Sequence, residues 1–209
     1  LLFHMSMNLA AVFSTEAYNA ICEFLGANWY ALAGTLILAA GVVVHLVYAT
    51  VLTLHNRSSR GSQRYAMTAE PEGVTWASRN MYVLGIIIVL GLLLHLYNFW
   101  YNMQFAEIIG NHELGPFPPA DGAAYIAALF SSPVYCIIYL VWFAAIWFHL
   151  THGFWSAFHT IGWDNQTWLP RLKRIANVVA TIVFLCFALV VIVFYLRSLG
   201  VCGGSCAGF

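Results

Sequence analysis

The sequence predicts an all-α integral membrane protein, built as a bundle of five transmembrane helices. Hydrophobic residues make up 62% of the 209-residue chain and charged residues only 8%, whereas a soluble domain carries about 25% charged residues. These charged residues are too few to solvate a protein surface in water. We therefore expect the chain to lie in a lipid bilayer. The apolar runs that predict the five helices of this single domain (1–209) lie at about 1–13, 29–54, 81–106, 133–161 and 175–196.

The first two runs differ in length. The first is already apolar at Leu1 and ends before Ser14, so we expect a first helix truncated at its N-terminus in this sequence. The segment 17–28 predicts a loop or a surface helix. The second run has about 25 apolar residues, enough to span a hydrocarbon core of about 30 Å, and it starts with Trp29, an aromatic residue typical of the interface.

The other three runs are bounded by polar connections. The most polar part of the chain, 55–80, separates the second run from the third, and an acidic loop with several prolines follows the third. A short basic loop joins the fourth run to the fifth. A glycine-rich tail carries Cys202 and Cys206, which would pair only if the tail faced an oxidising compartment.

The basic residues predict the orientation. Seven of the eight Lys and Arg residues lie in the connections between the second and third runs and between the fourth and fifth. The positive-inside rule places both connections, and the N-terminus, in the cytoplasm. A net charge of zero excludes a nucleic-acid-binding function, which needs a basic face.

Four of the runs carry a histidine at a characteristic depth. At about 1.5 Å per residue, His45 and His152 each lie roughly nine residues from the inner end of a helix. His4 and His95 lie roughly nine and eleven residues from the outer end of theirs, again at about 1.5 Å per residue. We name His45 with His152 the inner pair and His4 with His95 the outer pair.

Paired imidazoles on different helices predict a porphyrin site. Two of them could occupy both axial positions of one iron, so four could hold two b-type haems stacked across the membrane. The sequence has no CxxCH motif, so the haems would be bound non-covalently. Gly41, Gly91 and Gly153 lie beside three of the histidines and would allow close approach, although small residues also favour ordinary helix packing. Each histidine could instead be a hydrogen-bonded packing residue, but ionisable groups inside a membrane usually mark function.

Other histidines leave alternatives open. His149 competes with His152, because it lies one turn away on nearly the same helix face. His55 and His159 lie at inner helix ends, where they would be interfacial residues or would contact a haem propionate, a quinone or a partner subunit. We assign no role to His112.

Five stretches of the sequence carry a family resemblance: 3–8, 18–30, 64–66, 76–81 and 94–102. Together they resemble the di-haem cytochrome b membrane subunit of succinate:quinone oxidoreductases, in its five-helix, Bacteroidetes-type form. The resemblance covers most of the chain. It implies the membrane anchor of a bacterial succinate dehydrogenase or fumarate reductase in the cytoplasmic membrane.

The resemblance implies ligands and partners. In the family, the second and fourth helices ligate the haem nearer the cytoplasm, which corresponds to His45 and His152, and the first and third ligate the outer haem, which corresponds to His4 and His95. The subunit anchors a flavoprotein with FAD and an iron–sulfur protein on the cytoplasmic face, in an assembly that can be a homodimer of heterotrimers. It passes electrons between the last iron–sulfur cluster and a quinone, usually menaquinone.

The sequence departs from the family at one functional position. Some members carry a glutamate two residues before the fourth-helix ligand, where this chain has Leu150, so a proton path through that helix is not expected. The family also uses an acidic residue after the first helix in quinol chemistry. Glu23 is the nearest match and Glu16 the second choice, against the simpler interpretation of Glu23 as a solvated loop carboxylate.

Two other functions remain open at this stage. One is a di-haem anchor of another quinone-linked complex, such as a hydrogenase or formate dehydrogenase. The other is a transporter or scaffold whose histidines bind a metal or relay protons. The basic loops would face a soluble partner in an anchor, but they would serve equally as topology signals and contacts with anionic lipids.

Overall fold

The computed structural model describes residues 1–26, 28–60, 74–163 and 165–201. Within these ranges all regular secondary structure is helical. The helices are α1 (Leu2–Phe13), α2 (Thr15–Gly26), α3 (Trp29–Arg60), α4 (Trp76–Arg79), α5 (Met81–His95), α6 (Ala106–Ile109), α7 (Gly122–Phe130), α8 (Pro133–Thr160) and α9 (Trp168–Ser198), with a π-helical segment (Leu96–Phe105) between α5 and α6. The predicted tail cysteines Cys202 and Cys206, and the stretch 64–66, lie outside the described residues.

Four helices are long and apolar enough to cross a membrane: Trp29–Ser59, Met81–Ile109, Pro133–Thr160 and Trp168–Ser198. Each has 28 to 31 residues, which at about 1.5 Å per residue exceeds the roughly 30 Å of a hydrocarbon core. The all-α class is therefore confirmed, and the four helices indicate a multi-pass membrane protein. Helix α1 has 12 residues and is too short to span by itself, so the fifth transmembrane helix stays a prediction.

Two helix ends differ from the predicted ones. Helix α3 continues to Arg60 instead of ending near 54, and α9 begins at Trp168 instead of near 175. The added turns contain Arg57, Arg171 and Lys173, and Arg and Lys are good helix formers. The loss of hydropathy marked where the apolar core of the bilayer ends, whereas the helix itself continues into the polar interface.

The third long helix changes its winding directly after His95. A regular helix was expected from 81 to 106, but ten residues from Leu96 to Phe105 form a π-helix. The Asn102 side-chain amide donates to the carbonyl oxygens of Tyr97 and Asn98, both at 3.1 Å. π-Helical segments are rare and frequently lie at functional sites.

The main core is built from buried residues of α7, α8 and α9, with one each from α1 and α2, and partly buried residues of α5 pack against it. The rings of Tyr139 and Trp142 pack edge to face with centroids 5.6 Å apart, and Phe143 stacks on Phe187 of α9 at 5.3 Å. Helix α1 packs on α9 and on α2. In a bilayer such interdigitation matters more than in water, because lipid tails supply no hydrophobic force between helices.

Helix α3 lies at the edge of the bundle. None of its 18-residue apolar window is buried, and Ile37 is 74% exposed. The helix is attached through a polar contact in which the Thr35 hydroxyl donates to Gln104 Oε1 at 2.9 Å. The Trp100 indole N–H donates to the same oxygen at 2.8 Å, so one amide joins α3 to the π-helical segment.

Gly91 supplies the closest packing between α5 and α8. A Cβ at this position would overlap the Trp142 indole, whose N–H donates to the Ile88 carbonyl oxygen at 3.0 Å. Gly91→Ala should therefore lower the free energy of unfolding by about 1–3 kcal/mol, as overpacking of a filled core does. The measurement is the midpoint of thermal denaturation in detergent.

The matched control is Gly85→Ala in the same helix, where an added Cβ would meet no atom within 4 Å. Its midpoint should stay at or above that of the wild type. Equal midpoints for the two variants would contradict the packing of Trp142 against Gly91.

Candidate functional site

The structure brings the two histidines of the outer pair together. The rings of His4 on α1 and His95 on α5 have centroids 5.8 Å apart, with their planes at 82°. Phe187 lies 5.9 Å from the His4 ring and Trp142 lies 5.7 Å from the His95 ring. Two imidazoles from helices far apart in the chain thus face each other between aromatic side chains.

The second facing pair joins His45 to His149. Their ring centroids are 6.2 Å apart, with planes at 77°. His152 instead packs edge to face on Trp155 at 4.9 Å, and Lys173 Nζ lies 4.5 Å from the centroid of the same indole. The ring opposite His45 is therefore that of His149, while His152 as the partner of His45 stays a prediction.

The two facing pairs share one arrangement. In each, an exposed histidine on a peripheral helix, His4 or His45, meets a half-buried histidine on an inner helix, His95 or His149. The separation and the near-perpendicular planes are also similar. The repetition of one geometry at two places indicates a common role for the pairs.

Three imidazole nitrogens in this region lack a partner among the described residues. The Nδ1 atoms of His95, His149 and His152 are buried and make no hydrogen bond. Buried polar side chains nearly always have a partner, and leaving one unsatisfied costs about 1–3 kcal/mol. A ligand that takes up nitrogen lone pairs would remove this cost.

The donor set suits a porphyrin iron. Each facing pair offers two nitrogen ligands, which is the number of axial positions that a porphyrin leaves open. Metal–nitrogen bonds of about 2 Å on both sides of one ion separate two ring centroids by about 6 Å, near the observed 5.8 and 6.2 Å. In the described part of the chain, no group of three or more His, Cys, Asp or Glu residues could hold a metal ion.

The glycines beside the histidines differ in their surroundings. A Cβ on Gly91 would overlap the Trp142 indole, as described above, whereas a Cβ on Gly41 would meet no atom within 4 Å. A Cβ on Gly153 would make ordinary contacts of 3.7 Å with Met81 and 3.9 Å with His149. Close approach therefore requires glycine at Gly91 and not at the other two positions.

A hydrogen-bonded chain connects His4 to α2. Asn8 Nδ2 donates to the His4 carbonyl oxygen at 2.8 Å and lies 3.4 Å from both ring nitrogens of His4. The Tyr18 hydroxyl donates to Asn8 Oδ1 at 3.2 Å. Burial raises the pKa of the Tyr18 hydroxyl, so this group keeps its proton and remains able to donate.

Arg197 fastens α1 to the end of α9. Its guanidinium donates to the carbonyl oxygen of Val12 at 2.7 Å and to that of Ala11 at 3.5 Å. These carbonyls belong to the last turn of α1, where no intrahelical donor remains and the helix dipole is negative. The helix that carries His4 is thereby held at its C-terminal end.

Glu23 lies at a groove near the start of α3. The groove has a volume of about 530 Å³ and is lined by Ala20, Glu23, Phe24, Asn28, Trp29 and Tyr30. Trp29 and Tyr30 stack with centroids 3.7 Å apart. The carboxyl group of Glu23 therefore stands beside a flat aromatic surface.

Glu16, the second choice for the acidic residue, has a local role. Its own backbone amide, and then the Ser14 hydroxyl, hold the pKa of this exposed carboxyl below its usual value. The Ser14 hydroxyl donates to Glu16 Oε2 at 2.9 Å. Glu16 therefore helps to cap α2, whereas Glu23 lines the groove.

Several functional candidates were missed from the sequence. Asn8 could have been found, because it lies four residues after His4 on one helix face. Tyr18 and Arg197 reach the site through tertiary packing that no local pattern shows. His112 was assigned no role, and its Nδ1 lies 3.6 Å from Glu107 Oε1.

No protein-family model, curated protein or solved structure matches this chain.

Replacing Arg197 should loosen α1. Arg197→Gln removes charge-assisted hydrogen bonds to two carbonyls, and hydrogen bonds to a charged group contribute about 1.5–3 kcal/mol. We expect a lower denaturation midpoint and faster amide hydrogen exchange in α1. The control is Arg174→Gln, at the exposed opposite end of the same helix. Unchanged hydrogen exchange in Arg197→Gln would show that the Arg197 hydrogen bonds do not hold α1.

Proposed function

We propose that this chain is the di-haem cytochrome b membrane-anchor subunit of a bacterial succinate:quinone oxidoreductase. The observation that carries the proposal is the pair of facing imidazole couples, with ring centroids 5.8 and 6.2 Å apart. The partnerless Nδ1 atoms of His95 and His149, one from each couple, support it. In the proposed protein α1 belongs to the fifth transmembrane helix.

His4 and His95 would hold the outer b haem. Their rings lie near each other, with Phe187 beside the His4 ring and Trp142 beside the His95 ring. His45 would hold one axial position of the inner haem. For the other position the depth match and the adjacent Gly153 favour His152, whereas the ring contact favours His149.

When bound, the two haems would carry single electrons between an iron–sulfur protein and a quinone in the membrane. The imidazoles would hold the haems and would tune their electronic environment through hydrogen bonds of their own. Quinone reduction also consumes protons, so a carboxyl group near the quinone ring is needed as donor or acceptor. Glu23, beside the stacked Trp29 and Tyr30, is our candidate for a quinone that we expect to be menaquinone.

The cationic ends of α3 and α9 would face the partners. Lys173 lies over Trp155 and Arg171 over Trp168, which gives a surface that is both basic and aromatic. Such a surface suits the docking of an iron–sulfur protein, with an FAD-containing flavoprotein beyond it, on the cytoplasmic side of the inner membrane. The complex could assemble as a homodimer of heterotrimers.

The direct test is the haem content of the purified complex. We expect b-type absorption bands and two haems per chain, measured by conversion to the pyridine complex, together with a succinate-oxidising flavoprotein. A colourless preparation from haem-supplied cells would refute the haem sites and would favour a transporter or scaffold. A haem-containing complex with a hydrogenase or formate dehydrogenase partner would instead refute the choice of complex.

Two variants distinguish the inner ligands. If His149 is the ligand, His149→Ala should contain one haem per chain and His152→Ala two, and the reverse result is expected if His152 is the ligand. His112→Ala, in the loop after α6, is the control and should contain two. Two haems in both α8 variants would show that neither residue is an axial ligand.

Glu23 is tested by removing its charge without changing its size. Glu23→Gln should lower quinone-linked turnover by about a hundredfold or more, the usual contribution of a general acid or base. Haem content and succinate oxidation with a water-soluble electron acceptor should not change. Glu16→Gln is the matched control, and wild-type quinone turnover in Glu23→Gln would exclude the residue from proton transfer.

A further inference from the structure

The four facing histidines differ in their hydrogen bonds. The buried Nδ1 atoms of His95 and His149 have no partner among the described residues. The ring of His4, by contrast, has the amide of Asn8 at 3.4 Å from each nitrogen. The ring of His4 therefore lies next to the polar side chain of another residue, Asn8.

The amide of Asn8 is held on two sides. Its Nδ2 donates to the His4 carbonyl oxygen at 2.8 Å, and its Oδ1 accepts from the Tyr18 hydroxyl at 3.2 Å. Tyr18 is only 7% exposed. Both halves of the amide therefore have fixed partners, one on α1 and one on α2.

Helix α2 is itself fixed to α7. Asn19 Nδ2 donates to Asp121 Oδ1 at 2.8 Å, and Asn19 Oδ1 accepts from the backbone N–H of Ala123 at 2.9 Å. A Cβ on Gly122 would come within 2.9 Å of the Tyr18 ring, so the ring packs directly on this backbone. The position of the Tyr18 hydroxyl is consequently set by two helices.

We propose that Asn8 is a positioning residue for the His4 imidazole and that Tyr18 holds Asn8 in place, forming a hydrogen-bonded link from the outer pair to α2. The inference rests on the proposed role of His4 as an axial ligand. It goes beyond that role because it says that Asn8 and Tyr18 control how the His4 imidazole is oriented and how strongly it donates electrons. Helix α2 also carries Glu23, so one helix both holds Asn8 through Tyr18 and lines the groove.

The chemistry of an amide suits this role. An imidazole that gives one nitrogen lone pair to a metal keeps an N–H on its other nitrogen, which needs an acceptor. Asn carries both an acceptor oxygen and N–H donors, and a tyrosine hydroxyl both donates and accepts. The link can serve a free imidazole with Asn8 as donor. To accept from a ligated imidazole, the Asn8 amide has to turn over, which gives up its hydrogen bond to the His4 carbonyl oxygen and leaves the Tyr18 hydroxyl, then as acceptor, to hold it.

Three substitutions test the link in the intact complex. Asn8→Leu removes both hydrogen-bonding groups at similar size, Asn8→Asp leaves only acceptors, and Tyr18→Phe removes only the hydroxyl. The readouts are haem content, the rate of haem loss to an excess of apo-acceptor protein, and the midpoint potential of each haem from a spectroscopic redox titration. Ser6→Ala is the control on α1, because the Ser6 hydroxyl donates only to the local Phe3 carbonyl oxygen at 2.8 Å.

We expect changes at one haem only. Asn8→Asp should lower the potential of the outer haem, because a carboxylate that accepts the imidazole N–H makes the ligand more basic. Asn8→Leu should raise this potential and speed the loss of that haem by about tenfold, the lower end for lost outer-shell partners. Tyr18→Phe should shift the potential in the same direction as Asn8→Leu by a smaller amount, and Ser6→Ala should shift neither.

The outcomes distinguish failure of the proposed function from failure of the proposed link. A haem-free wild-type protein would refute the proposed function. Two haems with wild-type potentials and wild-type retention in Asn8→Leu would overturn the link while leaving that function intact. If Asn8→Leu does not fold, an unchanged outer potential in both Asn8→Asp and Tyr18→Phe overturns it, and opposite shifts in these two variants support it.

Discussion

The fold depends on a small number of polar contacts between helices that lie in lipid. Lipid tails are as apolar as the side chains they touch, so helices in a bilayer associate through packing and hydrogen bonds and not through the exclusion of water. Here the Gln104 amide joins α3 to the π-helical segment, Asn98 donates to the Tyr139 hydroxyl at 3.1 Å, and Arg197 joins α1 to α9. Asn98 follows His95 on the same long helix and Arg197 holds the helix that carries His4, so two of these three contacts involve the helices of the outer pair.

The sequence predicted the class of the fold because composition and run length are direct consequences of the bilayer. It missed where α3 ends and where α9 begins, since polar interfacial residues continue a helix without continuing its hydropathy. This error bears on the histidines. His45 was counted nine residues from the end of its helix, whereas α3 ends fifteen residues later, at Arg60, and six residues correspond to about 9 Å of depth.

Counting depth also cannot fix rotation about a helix axis. His149 and His152 differ by three residues, which is about 4.5 Å along the axis and some 60° around it. The pairing of His4 with His95 was less sensitive, because no rival histidine lies on either helix. The hydrogen bonds around His4 could be predicted only in part from the sequence. Asn8 follows His4 on the same helix face, whereas Tyr18 belongs to another helix.

The π-helical segment has a consequence for how the third long helix presents its side chains. In a regular helix the angle between two side chains about the helix axis follows from the number of residues between them. His95 and Gln104 would therefore lie at one fixed angle to each other. Ten residues with a wider turn set a different angle from the one that regular winding would give. With this angle the helix reaches two unrelated neighbours, α1 through His95 and α3 through Gln104. The length and winding of Leu96–Phe105 therefore set the register between the two ends of the helix.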